Sequence, residues 1–242
     1  MPITDSYLLA GLTVRVSSLW PEVHALCRDY RTEGTADIAV EIAQADIDFE
    51  RERSARSDAA SAQRPDAYLE TLAVYRKIAE RLPEHGRLLV HGSCVAVDGA
   101  GYLFLAKSGT GKSTHARLWR ETLGPRAVMI NDDKPLLSVE GAGARVYGTP
   151  WDGKHRLSTN TSVPLRALCI LERAAQNSIR PVTPGEAYPV LLRQVYRPLE
   201  RAAMERTLPL IDALSSSVSL WRLGCNMDPE AAQIAYDAMK GP

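Results

Sequence analysis

Eight consecutive residues, Ala106-Lys107-Ser108-Gly109-Thr110-Gly111-Lys112-Ser113, have the composition of a loop that wraps an anion. Glycines at 109 and 111 let the backbone curl until several N–H groups point at one centre. Lys112 then supplies a point charge for the β- and γ-phosphates of a nucleotide, and the Ser113 hydroxyl is a hard oxygen ligand for Mg²⁺. Ser108, Gly109, Thr110, Gly111, Lys112, Ser113 and Thr114 are therefore candidate nucleotide contacts, with Ala106 standing where such loops usually open on Gly. A second group is Asn131-Asp132-Asp133, whose adjacent carboxylates could face a metal ion and a phosphoryl group in transfer. An Asp pair also commonly just opens a turn.

These residues need elements that bring them together. Tyr102-Leu103-Phe104-Leu105-Ala106 is a short apolar run between Gly101 and the loop and reads as a buried strand. After Lys112, the residues Ala116, Trp119 and Leu123 share one helical face, and Gly124-Pro125 supplies a stop. Strand, loop and helix in that order set phosphates at a helix N-terminus, where free N–H groups and the dipole favour negative charge. Ala127 to Ile130 reads as another buried strand. If it runs parallel to 102–106, the Asp pair reaches the same sheet edge as the loop, which is where open α/β sheets bind ligands.

The segment resembles the kinase core of HPr kinase/phosphorylase and its relatives, which share a nucleotide-binding core with ATP-dependent phosphoenolpyruvate carboxykinases. His91-Gly92, the turn Asp98-Gly99-Ala100-Gly101, Gly111-Lys112-Ser113 and Asp132-Asp133 stand in the family's order. Gly148 to His155 and Cys225 to Ala232 look like a bacterial HPr-kinase-like subgroup, largely of unassigned substrate. The likeness covers roughly residues 87–240. It implies that Asp133 is the base accepting a hydroxyl proton, that His91 orients it, and that Ser113 and Asp132 hold Mg²⁺ beside ATP. Ala106 and the absence of a Glu-rich signature after the Asp pair depart from the pattern, which argues against HPr itself as acceptor and against a reverse phosphorylase reaction.

Residues 148–160, rich in Gly, Pro and cations, have the composition of a functional loop. Lys154, or else Arg156, is placed to meet a γ-phosphate, and Asp152 is a further metal-ligand candidate. His24 and His115 read as packing or surface residues.

Composition narrows the function classes. The 242 residues carry 29 Lys+Arg and 29 Asp+Glu, so there is no basic belt for nucleic acid and no polybasic helix for a membrane surface. No apolar run approaches the ~20 residues of a spanning helix. Cysteines 27, 94, 169 and 225 are widely spaced, as in a reduced, cytoplasmic chain. A homo-oligomer is compatible with the sequence.

Along the chain, 7–17 reads as a strand, followed by a helix from Ser18 to about Tyr30 and a strand from Ile38. A turn or bulge is expected before Ile47, and residues 50–65 read as a solvated loop. Tyr68, Leu72, Tyr75, Ala79 and Leu82 form a helical stripe. Arg87 to Val97 pairs with 102–106 as a hairpin, and 136–146 forms another. A strand over 165–171, a capping box at Thr183-Pro184-Gly185-Glu186, a helix over 199–214 broken or kinked near Pro209, an edge strand over 218–223 and a last helix from Asp228 follow.

The sequence thus predicts an α/β fold: a mixed-sheet P-loop kinase core of the HPr kinase/phosphoenolpyruvate carboxykinase type over 87–242, with a small α+β piece, residues 1–86, packed on it. The predicted activity is ATP- and Mg²⁺-dependent phosphoryl transfer to a hydroxyl on a carrier protein, a peptide or a small molecule. The alternative is an ATP-binding regulatory module with little or no turnover.

Overall fold

Ala10 and Gly11 both take left-handed backbone, at φ 51° and 77°, and fold the first apolar stretch back on itself. The single strand expected over 7–17 is therefore a hairpin of β1 (Ile3–Leu9) and β2 (Leu12–Ser18). The turn is hidden in sequence because Ala, with its Cβ, rarely takes this conformation. In this computed structural model, which describes residues 1–57, 63–141, 143–153 and 155–241, the chain divides into compact units Met1–Arg81 and Leu82–Pro242. The boundary expected from sequence lies at residue 86.

In the first unit β3 (Ile38–Glu41) joins β2 in parallel, giving the sheet order β1-β2-β3. The helix expected from Ser18 shortens to α1 (Glu22–Leu26), and a 3₁₀ turn over Arg28–Tyr30 follows it. The bulge before Ile47 and the loop after Glu50 are instead one helix, α2 (Gln44–Ser57); the rest of that expected loop, at 58–62, lies outside the described residues. Its sequence lacks a helical apolar stripe because much of its buried face is ionic. Arg76 Nε meets Glu50 Oε1 at 2.5 Å and Lys77 Nζ meets Asp46 Oδ2 at 2.7 Å, both cations coming from α3 (Asp66–Arg81). His24 is buried in this unit, between the Tyr7 hydroxyl at 2.5 Å and the Ser18 hydroxyl at 2.8 Å.

The second unit is built on a curled mixed sheet. Its strands are β4 (Arg87–Leu89), β5 (Ser93–Val97), β6 (Ala100–Leu105), β7 (Ala127–Asn131), β8 (Leu136–Glu140), β9 (Gly143–Tyr147), β10 (Ser162–Arg173), β11 (Ser178–Pro181) and β12 (Ser219–Cys225). The order is β4-β8-β9-β10-β6-β5-β7, with β12 also paired to β10, and β11 to β12. The strand expected over 218–223 is thus internal rather than an edge, because β11, which carries no apolar alternation, covers it.

Both faces of the sheet are covered. Leu103 and Leu105 of β6, with Leu168 and Ile170 of β10, pack against Ala187 and Leu191 of α5 (Pro184–Gln194) and Ile211 and Leu214 of α6 (Arg201–Ser217). Tyr102 and Phe104 point the other way, onto Ala116 and Trp119 of α4 (Lys112–Leu123) and Ala235 and Tyr236 of α7 (Glu230–Met239). This two-sided burial explains why β6 is a continuous apolar run. The predicted capping box opens α5, with Glu186 N–H donating to the Thr183 hydroxyl. Helix α6 continues through Pro209. The result is a mixed α/β architecture. All four cysteines are free, and no helix among the described residues is long and apolar enough to cross a membrane.

Candidate active site

Strand β5 lies between β6 and β7 and runs antiparallel to both, so β6 and β7 run the same way. Their carboxyl ends and the start of β5 meet at one edge of the sheet. That edge receives the glycine loop after β6, Asn131-Asp132-Asp133 at the end of β7, and His91-Gly92 before β5.

The turn Asp98-Gly99, both residues left-handed at φ 51° and 79°, closes the β5–β6 hairpin and sets this register. The long strand expected over 87–97 breaks at Val90–Gly92. Its first part pairs with β8, and its second part pairs with β6. Gly92 sits where a Cβ would come within 2.9 Å of methyl groups of both Leu103 and Leu105, so only glycine lets the chain pass this close. The break leaves the His91 side chain at the edge, its backbone N–H donating to the Gln194 carbonyl at 2.7 Å.

His91 Nε2 stands 3.3 Å from Asp133 Oδ1, and Lys134 Nζ stands 3.4 Å from Asp133 Oδ2. Burial pushes the Asp133 carboxyl up. The His91 hydrogen bond, with Lys134, outweighs that and holds it below the ordinary aspartate value. Asn131 fixes the turn: its Oδ1 accepts from the N–H groups of Asp133 at 2.8 Å and Lys134 at 2.6 Å, while its amide donates to Thr149. Asp132 is buried and accepts from the Ser93 hydroxyl at 2.9 Å.

The loop itself is set by Gly109 at φ 77° and Gly111 at φ 124°, and α4 begins at Lys112. Lys112 is buried and donates from Nζ to the Ala106 carbonyl at 3.0 Å. Burial lowers the pKa of its ammonium; the charge of Asp133 opposes that, Lys134 adds to it and Asp132 opposes it. Ser113 and Thr114 lie half-buried in the first turn of α4; Ser108 and Gly109 are exposed, and Thr110 is half-buried. His115 is a core residue, accepting from Trp119 Nε1 at 3.0 Å, its pKa pushed down to about 4 by burial.

Of the 148–160 loop, Lys154 lies outside the described residues. Arg156 is exposed and points at Asp152, 3.6 Å away. Asp152 is buried, takes a hydrogen bond from Ser158 on Oδ2, and leaves Oδ1 buried without a hydrogen bond among the described residues. Gly153 lies over Asp133, where a Cβ would come 3.0 Å from the Asp133 Cβ. Among the described residues no group of three or more His, Cys, Asp or Glu is arranged to hold a metal.

Beside the Asn131 that opens the acid group, this edge uses residues that carry no motif, Ser93 and Arg173 among them. Ser93 and Asn131 hold the acid pair, and Arg173 donates from Nη2 to the Gly109 carbonyl at 2.5 Å and from Nε to the Thr110 carbonyl at 3.3 Å. Arg173 carries no signal in the sequence: it lies two residues beyond the strand expected over 165–171. Beside the loop opens a cleft of about 570 Å³, walled by Lys107 and Thr110, by Glu172 and Arg173 of β10, and by Arg193 and Gln194 of α5.

Residues 61–205, more than half of the chain, match the family model described as SynChlorMet cassette protein ScmC. Among curated proteins none matches in sequence. The structure of the Hpr(Ser) kinase/phosphatase from Coxiella burnetii is similar over 63% of this chain and 99% of that one, at 10% identity and a TM-score of 0.37.

Proposed function

The chain belongs to the family of the SynChlorMet cassette protein ScmC, and from the residues at its sheet edge we propose that it is an ATP-dependent kinase acting on a hydroxyl group. One observation carries this reading. A His91-bonded carboxylate, Asp133, and the glycine loop that carries Lys112 stand at one sheet edge, because β6 and β7 run the same way on either side of β5. A carboxylate held ionised can take a proton, and a lysine rooted at a helix N-terminus can neutralise phosphate.

In the proposed reaction the acceptor oxygen attacks the γ-phosphorus of ATP. An O–P bond forms, the bond from the γ-phosphorus to the bridging oxygen breaks, and ADP leaves with the electron pair. Asp133 accepts the hydroxyl proton, and His91 holds its carboxylate in place. Lys112 and the loop N–H groups hold the phosphates in line. Ser113 and Asp132 offer hard oxygens that fit Mg²⁺, which binds through one or two protein oxygens plus phosphate and so needs no three-residue cage. Bound there, Mg²⁺ would neutralise charge on the transferring group.

The test is transfer from γ-labelled ATP to acceptors in a cell extract. The expected result is label on an acceptor other than water. Lys112→Ala abolishes transfer, and Asp133→Asn lowers it about 10²-fold or more with ATP binding retained. Full transfer by Asp133→Asn would refute the base assignment. Tight ATP binding with no transfer to any acceptor would make the chain a regulatory module instead.

A further inference from the structure

We propose that the cleft beside the glycine loop is the phosphoryl-acceptor site, and that the acceptor is a small hydroxyl compound carrying an oxyanion, either a carboxylate or a phosphate. This rests on the kinase reading above and adds to it the substrate class.

Position is the first argument. Gln194, which walls the cleft, accepts through its backbone carbonyl from the His91 N–H at 2.7 Å, and His91 Nε2 is 3.3 Å from Asp133. The cleft wall is therefore directly bonded to the residue that holds the proposed base. Its other side is the loop, through Lys107 and Thr110. The cleft thus adjoins the loop directly and the base through one backbone hydrogen bond.

Charge is the second. Lys107, Arg173 and Arg193 line the space against one carboxylate, Glu172, which is itself paired with Arg222. Arginine forks match carboxylate and phosphate oxygens in pairs. Arg193 is rooted by its Nε on the Pro189 carbonyl at 2.9 Å, and Arg173 is rooted on the carbonyls of Gly109 and Thr110. An anionic acceptor beside a triphosphate would otherwise be repelled. Arg173 touches the loop and lines the cleft at once, so it sits where that repulsion has to be offset.

Size and lining are the third. A volume of about 570 Å³ falls in the range of small-molecule sites and is too small for a folded domain. The apolar wall is Ile170, Leu171 and Val190, and among the described lining residues there is no aromatic ring on which a nucleobase would stack.

The experiment measures binding to ADP-saturated protein of three probes with one carbon skeleton: glycerate, glycerol 3-phosphate and glycerol. At least one oxyanion probe is expected to bind at least tenfold more tightly than glycerol, and the comparison of glycerate with glycerol 3-phosphate says which oxyanion is preferred. Arg193→Gln is expected to abolish that difference, and Val190→Trp to exclude the probes by filling the cleft, both with ADP affinity unchanged. Equal or undetectable binding of all three probes by ADP-loaded protein overturns the proposal while leaving the kinase reading standing. Loss of ADP affinity in Arg193→Gln or Val190→Trp overturns it too, by assigning the cleft to the nucleoside. Failure of the wild-type chain to bind ADP at all would remove the kinase reading itself.

Discussion

Asp133 is a residue pulled two ways. Removal from water raises the pKa of its carboxyl, and the His91 hydrogen bond together with Lys134 lowers it further than burial lifts it. Because the folded value lies below the unfolded one, its ionised form stabilises the fold above the ordinary aspartate range. That contribution is lost as pH falls through the folded value. Removing His91 takes away the largest lowering contact and leaves burial in place. His91→Ala should therefore raise the Asp133 pKa, read directly from its carboxyl carbon resonance in a pH titration. In the kinase reading the acid limb of the pH–rate profile should move to higher pH with it. An unchanged titration would mean that His91 does not act on Asp133. His115 shows why residue type alone does not find such a partner. It is closer in sequence to the loop, yet it packs on Phe104 and Trp119 as a neutral core group.

Elements that place these residues were legible where local chemistry is strong. The apolar run of β6, the two glycines of the loop, the α4 stripe and the capping box of α5 each state their structure within a few residues. Features decided by distant partners were not. Helix α2 reads as a charged loop until the cations of α3 are opposite it, and the break at His91 follows from β4 pairing with β8. The site divides in the same way. The loop and the acid pair stand in the sequence as motifs, whereas Ser93, Arg173 and Gln194 enter through strand register and helix packing. Gly153 stands between the two: its loop is marked in the sequence, but its place over Asp133 is not. It takes φ +72° and leaves 3.0 Å between a would-be Cβ and the Asp133 Cβ. Gly153→Ala costs about 1 kcal/mol for the left-handed backbone and pushes Asp133 by a few tenths of an ångström. A shift of that size in a proton acceptor should lower turnover about tenfold, against a ~100-fold loss for a full ångström. Melting temperature and turnover measured on the same variant separate the two effects. A melting change with unaltered turnover would show that the 148–158 loop does not set the position of Asp133.

Across the whole chain, 29 acidic and 29 basic residues cancel, so any pull on a polyanionic nucleotide has to be local. The second unit concentrates that pull. Lys112 is buried at the head of α4, Arg173 clasps the loop, and the helix is anchored in the core by Trp119. A ligand bound at this edge is coupled to the packing of the unit, because α4 and β6 share one hydrophobic layer. Binding only to the folded form stabilises by mass action, about 2.7 kcal/mol at a hundredfold excess over Kd. For a unit the size of Leu82–Pro242 that amounts to a rise of about 5–10 °C in Tm. Three of the four tryptophans, 119, 151 and 221, lie in this unit, and Trp20→Phe silences the one in the first unit, so that a fluorescence melt reports on the second. Mg²⁺ with ADP should raise that transition in the wild-type chain and in Asp133→Asn, and should leave it unmoved in Lys112→Ala. A nucleotide-induced rise that survives Lys112→Ala would place the nucleotide away from the glycine loop.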